Sequence, residues 1–406
     1  MAAMGVAKLC IRSYRNSCFC IYKARDIYST RSYGLMNVRR LSTHGKPFTS
    51  NMRQSSTLTL GLLGISMGAV VGAGYTYYKN SQRHIPGILN KNMGVTSAVL
   101  ESLPDVQISR EVIMPTDNTG LKLTLFQYTT CPFCCKVRAF LDYYGFSYNV
   151  IEVNPVLRQQ IKWTEYRKVP IILAHVEDGY QQLNDSSMII SALASFLHDR
   201  DQGLKEVVKC YPTISFNDDE GKMKNEILNR YFLMYQGNIP KGRTKESILE
   251  ERKWRKWADD VLVHTLSPNV YRTKGEALQA FTWFSEVGEW EKHFPAWERY
   301  LIIYVGAYAM WIIGKRLKKR YNLKDDVRVS LYDACNQWTR SLKKQGTNFM
   351  GGDAPNLSDL AVYGVLSSIE GCDAFQDMLK NTSIGTWYKN VKESVMRHAG
   401  SAAMSI

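Results

Sequence analysis

The sequence predicts an α+β protein with two folded domains, preceded by one transmembrane helix. Short apolar runs alternate with helix-periodic segments over residues 120–205, as expected of a mixed domain of strands and helices. From about residue 220 to 395 the apolar residues recur only with helical spacing. Residues 57–78 form an uncharged apolar stretch that is long enough to cross a bilayer.

Residues 1–56 form a basic segment of the kind found in targeting sequences. The chain carries a formal net charge of +15, and this segment holds ten Lys or Arg but a single acid, Asp26. A Ser- and Arg-rich composition without acids is typical of a mitochondrial presequence, and a disordered tail is the alternative. No nucleic-acid-binding motif accompanies the charge, so a nucleic-acid partner is not expected.

A single transmembrane helix is predicted over residues 57–78. Its glycines at 64, 68 and 72 lie on one helix face, and such glycines are common where membrane helices pack closely. A cleaved hydrophobic targeting segment is the alternative. Residues 79–119, which contain three prolines and no sustained periodicity, predict a linker to the folded part.

The elements of residues 120–205 follow the order β-α-β-α-β-β-α, which is the thioredoxin-like arrangement. Strands are predicted at 121–128, 147–153, 169–173 and 181–183, and helices at 132–144, from Asn154 onward, and at 187–197. Gly145 follows the first helix, where left-handed backbone is common. Pro170 precedes the third strand, and a cis peptide bond after Val169 is expected there.

A C-x-x-C pair, Cys131 and Cys134, follows the first predicted strand and opens the first predicted helix. That context is typical of thiol chemistry. Because unpaired N–H groups and the helix dipole favour a thiolate at a helix N-terminus, Cys131 is the candidate nucleophile. Lys136 and Arg138 add positive charge nearby. Cys134 is either a resolving thiol or a buried residue, and Cys135 is expected to be a small buried residue.

Four further residues are candidates for the same site. Tyr128, at the end of the first strand, could donate a hydrogen bond to the sulfur or to a peroxide oxygen, although simple packing explains it equally well. The backbone of Val169 could pair with an extended peptide-like ligand. Asp185 and Ser186 open a helix, which is a ready anion site, although plain capping needs no ligand. Together these groups could hold glutathione.

Metal and disulfide chemistry are not predicted. The nine cysteines follow neither a disulfide framework nor zinc-site spacing, and the seven histidines show no metal-ligand spacing. A reducing compartment therefore suits the folded part. The many Trp and Tyr residues of the helical half could line an apolar, lipid-sized pocket where the two halves meet.

Several strings resemble the membrane-associated prostaglandin E synthase type 2 family. They lie at 126–141, 166–171, 181–187, 257–260, 267–273 and 349–352. The resemblance covers residues from about 120 to 390. It implies a glutathione-transferase-like architecture, in which a thioredoxin-like, glutaredoxin-type domain (120–205) precedes an all-helical domain (220–395), assembled as a homodimer. Cys135 is one departure, because serine is expected there.

The resemblance also implies an activity. It is the isomerisation of prostaglandin H2 to prostaglandin E2 in prostaglandin biosynthesis, a part of lipid metabolism. The family's catalytic residues fall on Tyr128, Cys131 and Cys134, and its glutathione contacts on Val169, Asp185 and Ser186. Haem can bind together with glutathione, in a form that degrades prostaglandin H2.

The resemblance implies a Golgi membrane protein with a processed cytoplasmic form, whereas the basic N-terminus favours mitochondria. Two other functions stay open. One is a glutaredoxin-like thiol-disulfide oxidoreductase or glutathione transferase. The other is a non-enzymatic protein that binds haem and glutathione.

Overall fold

The computed structural model describes residues 99–217, 223–235, 239–240 and 242–404. All of these residues belong to one compact unit. The predicted targeting segment, 1–56, and the predicted transmembrane helix, 57–78, lie outside the described residues. Within the described part of the chain, every helix is too short or too polar to span a bilayer.

A six-stranded mixed sheet is the framework of the first half. Its strands are β1 (Val99–Leu100), β2 (Arg110–Val112), β3 (Leu123–Gln127), β4 (Tyr148–Glu152), β5 (Ile171–Val176) and β6 (Gly179–Asn184). The strand order is β1-β6-β5-β3-β4-β2. β3 and β4 run parallel, and the other pairs are antiparallel. The four predicted strands thus form the centre of the sheet, and β3 is buried along its whole length.

Two short edge strands were not predicted. β1 and β2 lie within residues 79–119, the range that predicts a linker. β1 pairs with β6 through two residues and β2 pairs with β4 through three. A strand of this length is too short to display a period of two, so alternation of apolar residues could not reveal it.

Three helices accompany the sheet: α1 (Pro132–Tyr144), α2 (Ser186–His198) and α3 (Gly203–Lys209). α1 has the predicted bounds because Pro132 starts it and Gly145 ends it. Gly145 adopts φ 78° and donates its N–H to the carbonyl of Leu141. Asp185 caps α2 and accepts the N–H groups of its first turn. The predicted cis bond between Val169 and Pro170 is confirmed.

The helix predicted from Asn154 is wrong. Asn154 does supply the expected cap, because its Oδ1 accepts the N–H groups of Val156 and Leu157, both at 2.9 Å. Arg158 then adopts a left-handed conformation, φ 51°, which stops helix propagation. A single 3₁₀ turn, Gln159–Ile161, follows instead.

The second half starts with a hairpin that the sequence did not predict, β7 (Thr213–Asn217) paired with β8 (Met223–Ile227). Ten helices follow. They are α4 (Lys245–Trp257), α5 (Val263–Val270), α6 (Lys274–Val287), α7 (Trp290–His293), α8 (Ala296–Tyr300), α9 (Ala307–Arg320), α10 (Val327–Gln345), α11 (Leu357–Ser367), α12 (Asp373–Asn381) and α13 (Ile384–Met396). The result is a thioredoxin-like α+β fold with a helical C-terminal region.

Two features of the helical half bear on the site. π-helical turns at Ala258–Leu262 and Leu301–Gly306 join α4 to α5 and α8 to α9, and such turns often occur at functional sites. α11 lies directly on α1, since a Cβ added at Gly364 would come within 2.5 Å of the Lys136 Cα. The helix that carries the cysteine pair is therefore clamped against the helical half.

Candidate active site

Cys131 is the N-cap residue of α1, at the turn that follows β3. Interaction with the Cys134 thiol lowers the pKa of Cys131 below its usual value. The N–H groups of Phe133 and Cys134 at the start of α1 and the charge of Arg138 lower this pKa further, and together these influences outweigh burial, which raises it. Cys131 is therefore polarised toward the thiolate.

Cys134 has the opposite character. It is completely buried, and burial together with the hydrogen bond to Cys131 raises the pKa of Cys134 well above its usual value. Of the pair, Cys134 is therefore held as the neutral thiol, and Cys131 is the member whose ionisation is favoured. The other predicted role of Cys134, as a resolving thiol, stays a prediction.

The ammonium group of Lys136 hydrogen-bonds to groups other than the Cys131 sulfur. Its side chain is fully buried, and its Nζ donates to Asp259 Oδ1 at 2.5 Å, to Ser187 Oγ at 3.0 Å and to Ser186 Oγ at 3.3 Å. Asp259, on the first π-helical turn, neutralises the ammonium group. The prediction that Lys136 adds charge near Cys131 is corrected because a buried ammonium group needs a carboxylate partner, and here that partner lies on the helical half.

Arg138 and Glu152 hold the turn that presents Cys131. Arg138 donates to the Gln127 side chain at 2.5 Å and to the Thr129 carbonyl at 2.6 Å. Glu152 accepts the Thr129 N–H at 2.5 Å and the Thr129 hydroxyl at 2.9 Å. Burial raises the pKa of Glu152, although the hydrogen bonds from Thr129 oppose this shift.

Glu152 was not among the residues that the sequence predicted for the site. Its position at the end of β4 could have indicated it, because there it lies opposite Gln127 at the end of the parallel strand β3. The carboxyl ends of neighbouring parallel strands meet at one edge of a sheet, which is where ligand sites gather in such folds. A charged residue that ends a buried strand is therefore a candidate site residue.

Cys135 supports the same turn. It is buried, its thiol donates to the Thr129 carbonyl at 3.3 Å, and its sulfur accepts from Arg138 at 3.2 Å. Burial raises the pKa of Cys135. The third thiol is thus a neutral, hydrogen-bonded residue behind the site.

A largely apolar pocket lies between the two halves of the chain. Tyr128, Cys131 and Glu152 line it on the side of the sheet. Apolar side chains line it on the helical side, including Val270, Phe281, Phe284, Trp290, Ile302 and Met310. The second π-helical turn supplies Ile302. An apolar wall with a few polar groups at one end suits an amphipathic lipid-sized ligand.

The predicted site residues lie in one region. Val169 packs in the same apolar cluster as Tyr128, Cys131 and Cys134. Asp185 and Ser186 follow β6, whose last residue, Asn184, pairs with Ile171 just after the cis bond. The fold therefore places the start of α2 beside the Val169–Pro170 peptide.

The chain is similar to known proteins over most of its length. Residues 123–176 match the glutaredoxin family model. "Prostaglandin E synthase 2" of Danio rerio is 49% identical over 281 residues, which cover 68% of this chain and 72% of that protein. "Prostaglandin E synthase 2" of Mus musculus is 43% identical over 348 residues, 85% of this chain and 83% of that protein.

Among solved structures, glutathione transferase F7 from Populus trichocarpa is 11% identical with a TM-score of 0.39. The match covers 69% of this chain and 99% of that protein. The two curated relatives decide the family, because they share more than two fifths of their aligned residues with this chain across both halves of the fold. The chain belongs to the prostaglandin E synthase 2 family.

Proposed function

We propose that this chain isomerises prostaglandin H2 to prostaglandin E2 and that Cys131 is the reacting sulfur. The observation that carries the proposal is the position of Cys131, at the start of α1 and in the wall of an apolar pocket, where the lowered pKa favours its thiolate. The names of the two curated relatives supply the substrate.

The reaction opens a 9,11-endoperoxide to a 9-keto, 11-hydroxy product and needs no net electrons. The Cys131 sulfur forms a bond to the oxygen on C9 as the O–O bond breaks, and the 11-oxygen takes up a proton. Loss of the C9 hydrogen as a proton then forms the carbonyl and releases the Cys131 thiolate. Tyr128 lines the same pocket and orients the sulfur or the oxygen by a hydrogen bond, and one such proton donor is typically worth about 10²–10⁴-fold in rate.

Glutathione is the proposed cofactor. The Val169 backbone would hold its cysteinyl part, and Asp185 with Ser186 would hold its γ-glutamyl end. Their fit rests on the pairing of Ile171 with Asn184, which brings Val169 and the start of α2 together, and on the partly exposed Asp185 carboxylate there. When bound, glutathione supplies a second thiol beside Cys131.

Haem fits the apolar pocket only in part. The Cys131 sulfur is a suitable iron ligand, and the apolar walls suit a porphyrin. However, the pocket lining in the described part of the chain includes no Lys, Arg or His to pair with the propionates. No step of the reaction is assigned to haem.

A glutaredoxin-like thiol-disulfide oxidoreductase is the second candidate. The match of residues 123–176 to the glutaredoxin model and the hydrogen bond between Cys134 and Cys131 favour it. Replacing Cys134 with serine separates the two functions. A dithiol oxidoreductase loses disulfide turnover in this variant, whereas the isomerase keeps its activity.

For assembly and location we propose a homodimer anchored by residues 57–78 in the Golgi membrane, with a processed cytoplasmic form. The basic residues 1–56 support mitochondria as the alternative. Fractionation of cells that express the chain, with and without residues 1–78, tests the anchor. Light scattering of the purified protein tests the dimer.

The test of the main proposal is product analysis of the purified chain with prostaglandin H2. The reaction is run with and without reduced glutathione and haem, and the spontaneous decay of prostaglandin H2 is subtracted. Enzyme-dependent prostaglandin E2 supports the proposal. Degradation products alone, or turnover of disulfide substrates without isomerisation, would contradict it.

The lowered pKa of Cys131 predicts a pH dependence. Because the thiolate reacts and the thiol does not, alkylation of Cys131 by iodoacetamide should persist to lower pH than alkylation of an ordinary cysteine. The measurement is the alkylation rate against pH, with peptide mass analysis to isolate Cys131. The same peptide from the urea-unfolded chain is the control. A midpoint in the folded chain at or above that of the unfolded control would overturn the assignment.

A further inference from the structure

Four aromatic side chains form an exposed row, the aromatic face, along the helical segment 296–320. Trp297, Tyr300, Tyr304 and Tyr308 lie on α8, on the π-helical turn that follows it and on α9, and each is 53–63% exposed. The wider π-helical turn keeps residues four apart nearly in line, and the rings of Tyr300 and Tyr304 stack at 6.3 Å with an angle of 18°. Single exposed apolar residues are ordinary, but a row of large ones marks an interaction surface.

Positive charge accompanies the aromatic face. Lys315 and Lys319 are exposed and continue the row, since they lie seven and eleven residues beyond Tyr308, close to two and three helical turns. The Lys315 ammonium lies 4.1 Å from the centre of the Trp311 ring. Lys274, at the start of α6, brings its ammonium to 4.8 Å from the same ring and 5.9 Å from the ring of Tyr308. Exposed rings and ammonium groups therefore share one surface.

Acids scarcely offset this charge. Residues 296–320 contain six Lys or Arg but a single acid, Glu298. Glu298 is buried and accepts a hydrogen bond from Asn154 Nδ2 at 2.7 Å, so its carboxylate points into the protein. Arg299 and Lys318 pair with acids of neighbouring segments, at 3.2 Å each. The remaining charge of the segment favours an anionic partner.

A second copy of this chain fits the aromatic face poorly. In a two-fold symmetric dimer the same surface meets itself. Lys315 and Lys319 would then approach the equivalent lysines of the other copy, and like charges oppose such a contact. The proposed homodimer would therefore use a different surface.

An anionic lipid surface fits the aromatic face better. Trp and Tyr gather where lipid headgroups meet hydrocarbon, because their rings are apolar and their N–H or O–H groups are polar. Lysines beside such rings bind anionic headgroups. Ile302 and Met310, buried on the other side of the same segment, line the apolar pocket. The pocket and the aromatic face are thus separated by the width of one helix, about 10 Å.

We propose that the aromatic face docks on an anionic membrane surface and so brings the apolar pocket beside the lipid phase. The contact is additional to the predicted transmembrane helix, 57–78, and needs none of its residues. It gives a lipid substrate a short route from the bilayer to the wall that Ile302 and Met310 form.

The test measures oxidation of side chains by hydroxyl radicals, followed by peptide mass analysis. The purified full chain is reconstituted into vesicles of phosphatidylcholine, with or without phosphatidylserine. Oxidation of Trp297, Tyr300, Tyr304 and Tyr308 should be severalfold slower where phosphatidylserine is present. Phe216, which is 41% exposed on β7, should react equally on both kinds of vesicle and is the internal control. The readout needs no isomerase activity, so its failure leaves the proposed function unaffected.

A charge variant tests the role of the lysines. One lysine near an anionic bilayer is worth about fivefold in binding, so Lys315→Gln with Lys319→Gln should lose about 25-fold and, with it, the protection from oxidation. The matched control is Lys343→Gln with Lys344→Gln, at two exposed lysines in the last turn of α10, and should keep the protection.

Three results would overturn the inference. One is equal oxidation of the aromatic face on the two kinds of vesicle. Another is protection that survives Lys315→Gln with Lys319→Gln. The third is protection that rises with the density of protein in the vesicles and ignores phosphatidylserine, which would show that a second copy covers the face.

Discussion

Replacing Cys131 with serine should lower the rate of prostaglandin H2 isomerisation by about 10²–10⁴-fold, the range expected when one positioned catalytic group is lost. Serine keeps the size and the cap position but cannot form a stabilised anion, because a hydroxyl is far less acidic than a thiol. The hydrogen bonds that lower the pKa of Cys131 would then have no anion to stabilise. The measurement is enzyme-dependent prostaglandin E2 after subtraction of the spontaneous product.

Cys134→Ser is the informative comparison. Cys134 is completely buried and contributes a hydrogen bond to Cys131, and serine retains a donor in its place. We therefore expect the isomerase rate to stay within about tenfold of the native rate. Full isomerase activity in Cys131→Ser would refute the role of Cys131. Loss of isomerase activity in a folded Cys134→Ser variant would instead indicate that the reaction uses both thiols.

Much of the site could be predicted because its residues carry local signals. The helix bounds at Pro132 and Gly145, the cis bond at Pro170 and the cap at Asp185 each follow from the chemistry of one residue. What could not be predicted depends on tertiary contacts. The sequence predicted that the charge of Lys136 acts on nearby Cys131. In the fold, the π-helical turn of the helical half instead places Asp259 beside Lys136, and the two form an ion pair.

The same limit explains the errors in the fold. Asn154 supplies a proper helix cap, yet no helix follows it, since Arg158 turns into the left-handed region. Two edge strands pair through only two and three residues and leave no pattern in the sequence. Glu152 became recognisable as a pocket residue only once the parallel register of β3 and β4 placed it opposite Gln127.

Removing the charge of Lys136 should be among the most destabilising single changes in the chain. Lys136→Met keeps the length of the side chain but leaves the Asp259 carboxylate without its cation in a largely buried place. Breaking a buried ion pair from one side costs about 3–5 kcal/mol in the free energy of unfolding. The measurement is urea denaturation at pH 7, and Lys253→Met, at an exposed lysine on α4, is the control.

The double variant Lys136→Met with Asp259→Asn should recover most of that loss, because the neutral amide oxygen still accepts from Ser187 and Tyr231. pH gives an independent check. Although burial opposes ionisation, the Lys136 ammonium lowers the pKa of Asp259 below its usual value. Its contribution is therefore present above the usual carboxyl pKa of about 4 and is lost as the pH falls through the lowered pKa. If the single and double variants are equally unstable, the ion pair does not join the two halves, and the cost lies in the packing of Lys136 instead.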